Sequence, residues 1–217
     1  MYEELLKNLQ NRSVALVAVS KTHSPERILE LYRRGQRDFG ENRVQELLAK
    51  VPQLPEDIRW HLIGHLQTNK VRLITPFIHM IHSVDSLRLL EEIEKHAARI
   101  RRPVNCLLQF HIAQEETKFG LSEPEADALL QSASYQTMQY ARLCGVMGMA
   151  SFTDNSEQVR AEFRHLRRIF ERLRDTYFAQ APHFREISMG MSSDWAIAVE
   201  EGSTMVRIGS LLFGPRS

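Results

Sequence analysis

Eight short apolar runs alternate with longer amphipathic segments along the chain, and this alternation constrains the fold more than any other feature of the sequence. The first run, residues 14–19, is continuously apolar, as expected for a parallel strand that is buried on both faces. The clearest amphipathic segment, Ser156–Tyr177, places its large apolar side chains on one face of a predicted helix. The eight predicted strands are residues 14–19, 38–40, 59–62, 80–83, 104–110, 140–147, 186–189 and 205–208.

Predicted helices follow these strands, and one further helix, residues 3–10, precedes the first strand. In the first strand–helix unit, Ser24 is placed to cap the helix, Pro25 occupies its first position and Gly35 follows its end. A last helix begins after Gly209. The other predicted helices are residues 42–50, 67–74, 86–101, 122–133, 156–177 and 192–201.

Repeated strand–helix units of this kind predict an α/β fold, namely a single closed (β/α)8 barrel of the TIM type with an extra N-terminal helix. We find no domain boundary, so one domain is expected over residues 1–217. The alternative is an open doubly wound sheet, which usually has about five or six strands and a glycine-rich first turn. No GxGxxG motif follows the first predicted strand, and the barrel is therefore favoured.

Charge and composition argue against several classes of partner. The 28 Lys and Arg residues are interleaved with 27 Asp and Glu residues, so we expect no nucleic-acid partner. The N-terminus lacks the features of a signal peptide, and no apolar run approaches the ~20 residues that a bilayer requires. We therefore expect a cytoplasmic protein without membrane contact, and a monomer because no long exposed apolar face is evident. Cys106 and Cys144 lie in apolar runs and are predicted to be buried, reduced thiols.

The histidines do not form a convincing metal motif. His61 and His65 are four residues apart, as in a helical metal pair, but Gly64 lies between them and the glutamate of an HExxH motif is absent. His79 and His82 straddle a predicted strand and are expected to face opposite sides. We predict no metal site.

Lys21 is the first candidate for chemistry, because it lies just after the first predicted strand, with only Ser20 between them. Active sites of barrels lie at the C-terminal ends of the strands. A lysine at this position has a partly desolvated stem, and burial disfavours the charged ammonium, which suits Schiff-base formation with a carbonyl. The alternative is an ordinary rim lysine whose ammonium reaches water.

Two Gly/Ser turns follow the last two predicted strands. The first covers residues 188–193, and the second contains Gly209 and Ser210. Loops at this corner of a barrel commonly hold phosphate. Glycine admits close approach of the backbone, serine hydroxyls donate hydrogen bonds, and helix N-termini attract anions. Such turns also serve simply as loops and caps, so the pair is more informative than either turn alone.

A Schiff-base lysine that faces a phosphate site predicts either a sugar-phosphate aldolase or a pyridoxal 5′-phosphate (PLP) protein. Arg207 favours PLP, because it lies at the end of the eighth strand and can reach the middle of a flat ligand. An arginine is always charged and only donates hydrogen bonds. Facing the pyridine nitrogen of PLP, it would keep that nitrogen unprotonated. Its alternative role is a structural ion pair with a carboxylate at the barrel rim.

Five blocks of the sequence can be compared with known families. They are VAVSKTHSPERI around Lys21, DFGENRVQEL at 38–47, WHLIGHLQTNKVR at 60–72, IHSVDS at 81–86 and ISMGMSSDWAIAVEEGSTMVRIGSLLFGPR at 187–216. Together these blocks resemble the PLP homeostasis protein family, whose members are single-domain relatives of the fold-type III PLP enzymes such as alanine racemase. The resemblance runs from about residue 13 to the end of the chain.

The resemblance implies eight cofactor-binding positions. They are Lys21 for the Schiff base, Arg207 for the pyridine nitrogen, Ser188, Gly209 and Ser210 for the phosphate, and Asn42, Met189 and Ser192 near the cofactor. The sequence also departs from the family. Arg43 stands where many members carry a tyrosine, and residues 145–154 differ from the usual form.

Members of this family are thought to bind, buffer and hand over PLP, and the residues agree with a carrier. Racemisation needs a base on each face of the substrate, and in the larger relatives a second domain supplies one. We expect this chain to lack that domain, because it ends after the eighth unit. An arginine at the pyridine nitrogen also weakens the ring as an electron sink. The prediction is a non-enzymatic PLP homeostasis protein whose partners are PLP and PLP-dependent apo-enzymes; a weak amino-acid racemase or lyase is the alternative.

Overall fold

A closed barrel of eight parallel strands, arranged in chain order, forms the centre of the computed structural model, which describes residues 2–114 and 120–214. The barrel closes where the first strand pairs with the last, with Ala15 opposite Met205. The strands are β1 (Ala15–Val19), β2 (Asp38–Glu41), β3 (Arg59–Leu62), β4 (Met80–Val84), β5 (Val104–Gln109), β6 (Ala141–Met147), β7 (Glu186–Ser188) and β8 (Met205–Ile208). The predicted (β/α)8 barrel is confirmed.

Helices surround the barrel, and one of them precedes β1 as predicted. They are α1 (Tyr2–Gln10), α2 (Pro25–Arg33), α3 (Val44–Lys50), α4 (Val71–Ile74), α5 (Leu87–Arg99), α6 (Glu123–Gln131), α7 (Ala133–Gln136), α8 (Ser156–Tyr177), α9 (Trp195–Glu200) and α10 (Ser210–Phe213). Within the described residues, no helix combines the length and apolar character that crossing a bilayer demands.

Three predicted helices were wrong in detail. The helix at 67–74 is a 3₁₀ turn, Thr68–Lys70, followed by the single turn of α4. The helix at 122–133 is divided into α6 and α7 by Ser132, which is extended and caps α7 by accepting a hydrogen bond from Tyr135 N. α9 begins three residues late, because Asp194 closes a turn by accepting from Met191 N at 2.5 Å. Ser24 does lie at the N-cap of α2, but its side chain makes no capping hydrogen bond.

The hydrophobic core has two layers. A large outer layer lies between the strands and the helices. A small inner layer fills the barrel and consists of Val17, Met80, Leu107, Cys144, Met147 and Met205. Cys106 belongs to the outer layer and Cys144 to the inner one, and both are free and buried, as predicted. The inner apolar layer leaves the remaining barrel interior to buried polar side chains.

Candidate functional site

A cavity of about 480 Å³ opens at the C-terminal ends of the strands, the end of the barrel at which active sites lie. Its size is within the range of about 300–1,000 Å³ that small-molecule sites occupy. Six of the eight predicted site residues line it: Lys21, Asn42, Ser192, Arg207, Gly209 and Ser210. Most of the residues predicted from the sequence therefore lie together in one cavity.

The other two predicted residues lie outside the cavity lining. Ser188 is fully buried and accepts a hydrogen bond from Arg207 at 2.6 Å, so it is connected to the cavity through that side chain. Met189 is also fully buried, and its carbonyl accepts a hydrogen bond from Ser203. After the turn at Gly190 (φ +96°), Met191 reaches the cavity instead. A direct cofactor contact by Ser188 or Met189 stays a prediction.

Two large apolar residues at the cavity mouth were not predicted from the sequence. Met149 and Phe152 follow β6 and line the cavity, although Phe152 is 91% exposed. Both lie in the segment that departs from the usual family sequence. His23 also lines the cavity and stacks on Phe213, with ring centroids 4.7 Å apart. Met149 and Phe152 could have been identified from the sequence, because they are large apolar residues shortly after a predicted strand.

Lys21 lies in a tight turn that depends on contacts with its surroundings. His23 N donates to Ser20 O at 3.1 Å, and Thr22 N donates to Glu46 Oε1 at 2.5 Å. Thr22 has a φ of +68°, which is unfavourable for a β-branched residue. The carboxylate of Glu46 therefore helps to hold the backbone in the conformation that places Lys21 at the cavity.

Lys50 is the centre of a buried polar network beside this turn. Its side chain is 7% exposed, and its Nζ donates to Ser20 O (2.8 Å), Glu41 Oε1 (2.7 Å) and Glu46 Oε1 (2.6 Å). Burial raises the pKa of Glu41, although Lys50 and Ser20 oppose this effect. Burial also acts to raise the pKa of Glu46, but the hydrogen bond from Lys50 contributes to a net lowering. One cation between two carboxylates thus supports the turn that carries Lys21.

Arg207 lines the cavity from β8 and is held from within the barrel. Its Nη1 donates to Ser188 Oγ at 2.6 Å and its Nη2 to Gly148 O at 3.0 Å. Burial lowers the pKa of Arg207 to about 10, against the influence of Asp194, so the guanidinium stays charged at neutral pH. Both of these acceptors are neutral oxygens, and no carboxylate among the described residues forms an ion pair with Arg207.

The two Gly/Ser turns meet at the cavity, where Gly209 N donates to Ser192 Oγ at 3.3 Å. A Cβ at Gly209 would lie 3.3 Å from Val19 O, so glycine allows this turn to pack closely against the end of β1. The helices that follow contain only six and four residues, so few peptide dipoles add up there. Hydroxyl and backbone N–H groups, more than helix dipoles, make this corner suitable for an anion.

The sequence model of the N-terminal domain of alanine racemase matches residues 2–217. The chain is 42% identical to the pyridoxal phosphate homeostasis protein of Aquifex aeolicus over 204 residues, which covers 93% of this chain and 86% of the relative. The chain belongs to the pyridoxal phosphate homeostasis protein family. Another member, from Vibrio alginolyticus, is 36% identical over 99% of this chain and 92% of its own length. The family predicted from the sequence is confirmed.

Solved structures agree with this membership. The structure of PipY of Synechococcus elongatus PCC7942 with PLP bound has a TM-score of 0.84 to this family member at 38% identity, with 97% of this chain and 99% of PipY covered. Alanine racemase from Bartonella henselae has a TM-score of 0.70 at 16% identity, and 57% of that chain is covered. The second likeness shows a shared barrel fold alone.

A second polar cluster of this family member lies at the opposite end of the barrel. Ligand atoms of Asp38, His61 and His79 lie within 4.8 Å of one another, close enough to hold a metal ion. Both oxygens of Asp38, however, accept hydrogen bonds from Arg59, whose positive charge disfavours a second cation. The expected opposite orientation of His79 and His82 was wrong, because His79 precedes β4 and both rings contact His61, at centroid distances of 5.2 and 5.1 Å.

His79→Gln is expected to reduce the acid sensitivity of this protein. Burial lowers the pKa of His79 from 6.5 to about 4. The unfolded chain therefore binds a proton that the folded protein rejects, and stability falls as the pH drops from 6.5 towards 4. Between about pH 7 and about pH 5, His79 contributes a loss of up to about 2 kcal/mol, since one pKa unit corresponds to about 1.4 kcal/mol. Urea unfolding at both pH values measures the difference; equal losses in the two proteins would contradict the assignment.

Proposed function

We propose that this protein binds PLP in the cavity at the C-terminal ends of the strands, attached covalently to Lys21, and that it functions in PLP homeostasis by storing, buffering and handing over the cofactor. The observation that carries the proposal is the meeting of Lys21, Arg207 and the turn at Gly209 in one cavity. The PLP-bound structure of PipY, at 38% identity, supports it.

The chemistry of the donor groups fits PLP. When bound, PLP supplies an aldehyde that condenses reversibly with amines. Lys21 would hold that aldehyde, and the guanidinium of Arg207 would face the ring nitrogen. Ser192, Gly209 and Ser210 offer hydroxyl and N–H groups for the phosphate. Asn42 completes the polar lining near Lys21.

A carrier fits the cavity better than an efficient catalyst. Arg207 is charged at neutral pH and only donates hydrogen bonds, so it would keep the ring nitrogen of PLP unprotonated. A ring in that state is a poor electron sink, which disfavours amino-acid chemistry. The names of the curated relatives, which describe homeostasis proteins, support the same interpretation.

The recipients in this proposal are PLP-dependent apo-enzymes, and the protein acts as a monomer in the cytoplasm. An open site suits transfer, because Phe152 and Met149 at the cavity mouth are exposed and leave access for an incoming amine. Reversible attachment to Lys21 then allows the cofactor to leave intact.

Transfer is tested by mixing the PLP-loaded protein with the apo-form of a PLP-dependent enzyme and following the recovery of its activity. We expect recovery with loss of the visible absorption of the donor, and no recovery with the Lys21→Ala variant prepared in the same way. A panel of amino acids is assayed in parallel. Saturable turnover at about 1 s⁻¹ or more, the usual range of enzymes, would contradict the carrier function.

A further inference from the structure

A continuous chain of hydrogen bonds crosses the interior of the barrel. From the cavity, Arg207 Nη1 lies 2.6 Å from Ser188 Oγ, which lies 3.0 Å from His82 Nδ1. His82 Nε2 then lies 2.9 Å from His61 Nδ1, and His61 Nε2 lies 3.1 Å from Asp38 Oδ1. The first four residues are buried, whereas Asp38 begins β2 and its side chain is 20% exposed at the opposite end. We call this chain the barrel relay.

The hydrogen bonds of the barrel relay all point in one direction, with each residue donating to the next from Ser188 towards Asp38. An arginine only donates, so Ser188 accepts from Arg207. Within the described part of the chain, the acceptor that the hydroxyl of Ser188 meets is His82 Nδ1. His82 therefore carries its hydrogen on Nε2 and donates to His61, which in turn donates from Nε2 to Asp38. Burial lowers the pKa of His82 well below 6.5, which fits a neutral ring with a single N–H.

Reversing the tautomer of His82 would break this order. Ser188 would then accept from both Arg207 and His82, and its own hydroxyl hydrogen would meet no acceptor among residues 2–114 and 120–214. A buried donor without a partner is costly. The guanidinium of Arg207, which only donates, and the carboxylate of Asp38, which accepts, form the two ends of the barrel relay.

We infer that Ser188, His82 and His61 are positioning residues that fix the guanidinium of Arg207 at the cavity and connect it to Asp38 at the far end of the barrel. The inference rests on the proposed function, because Arg207 is the group that would face the ring nitrogen of PLP. Arg207 has two hydrogen bonds from within the barrel, to Ser188 and to Gly148. Without an acceptor at His82, the hydroxyl of Ser188 reorients, and the hydrogen bond that Ser188 accepts from Arg207 is weakened.

Three variants separate the barrel relay from simple packing. His82→Phe keeps a ring but removes both of its hydrogen bonds. His82→Asn restores an acceptor near the position of Nδ1 and serves as the conservative variant. His79→Phe is the matched control. The ring centroid of His79 lies 5.2 Å from that of His61, but His79 takes part in none of the hydrogen bonds that define the barrel relay.

The first measurement needs no PLP. NMR of the protein with ¹⁵N-labelled histidines reports which ring nitrogen carries hydrogen. From the order of donors and acceptors, we expect the rings of His82 and His61 to carry hydrogen on Nε2 and to accept at Nδ1, in the wild-type protein and in His79→Phe. A hydrogen on Nδ1 of His82 would overturn the inference whatever the ligand of the cavity is.

The second measurement is the affinity for PLP and the absorption spectrum of the bound form. We expect His82→Phe to bind PLP about tenfold more weakly and to shift the absorption maximum. Weakening a hydrogen bond to a charged group changes an affinity by about this factor. His82→Asn should recover part of both changes, and His79→Phe should match the wild type. A folded His82→Phe variant with wild-type affinity and spectrum would overturn the inference while the proposed function stands. If the wild type itself binds no PLP, the proposed function fails, and the histidine tautomers still decide the relay.

Discussion

Lys21→Ala is expected to abolish covalent attachment of PLP and the visible absorption that accompanies it. The effect should be complete, because Lys21 is the one lysine among the described residues that line the cavity. The neighbouring Lys50 is unsuited to replace it, since its ammonium is buried between Glu41 and Glu46. Absorption spectra before and after borohydride reduction, with mass mapping of the reduced adduct, measure the loss.

Two further variants control this experiment. Lys21→Arg keeps the positive charge but provides no amine that condenses with an aldehyde, so it should also lose the adduct. Lys95→Ala removes an exposed lysine of α5 that pairs with Glu92 and should behave as the wild type. An adduct mapped to Lys50, or unchanged PLP stoichiometry in Lys21→Ala, would show that the proposed attachment is wrong.

The position of Lys21 could be predicted because it depends on features that are local in the sequence. A continuous apolar run marks a buried parallel strand, and the loop that follows it lies at the barrel mouth. The same reasoning located Arg207 and Gly209 from β8, whose predicted bounds, Met205–Ile208, are those of the structure. Long helical periodicity likewise gave α8 its observed bounds, Ser156–Tyr177.

The orientation of side chains in the shorter strands could not be predicted. A strand that is buried on both faces has no polar alternation to show which residues point into the barrel. β7 contains three residues, and the sequence therefore did not distinguish Ser188, which lies beneath Arg207, from a residue that lines the cavity. For the same reason, the sequence did not show the role of His82, which contacts His61 of β3 and Ser188 of β7. Both partners are distant from it in the sequence.

The network around Lys50 also depends on tertiary structure. At the end of α3, Lys50 resembles the surface lysines that commonly occupy the last turn of a helix. Its burial results from the approach of α3 to the turn that carries Lys21, where it binds the carbonyl of Ser20. Lys50, distant from Lys21 in the sequence, thus supports the turn that carries Lys21.

Lys50→Met is expected to destabilise the protein by about 3–5 kcal/mol at neutral pH, the usual cost of removing one partner from a buried ion pair. Glu41 is completely buried, and without Lys50 its carboxylate would lose its cation. Burial already raises the pKa of Glu41, and this effect would no longer be opposed by Lys50. A carboxyl group with a raised pKa destabilises the fold as the pH rises, so the penalty should shrink from about pH 7 to about pH 5. Urea unfolding of the wild-type protein and of Lys50→Met at both pH values measures this penalty.

The double variant Glu41→Gln/Lys50→Met distinguishes an unpaired charge from lost packing. Neutralising Glu41 should recover about 1–3 kcal/mol of the loss, as coupled residues in one network do, whereas a packing defect would be unchanged or worse. Lys95→Met is the matched control, and because its ion pair with Glu92 is exposed it should change stability by no more than about 0.5 kcal/mol. If Lys50→Met resembled this control, the buried network would contribute little to the turn at Lys21. A large loss of stability, together with weakened covalent attachment of PLP to the intact Lys21, would link the stability of the network to the position of the Lys21 amine.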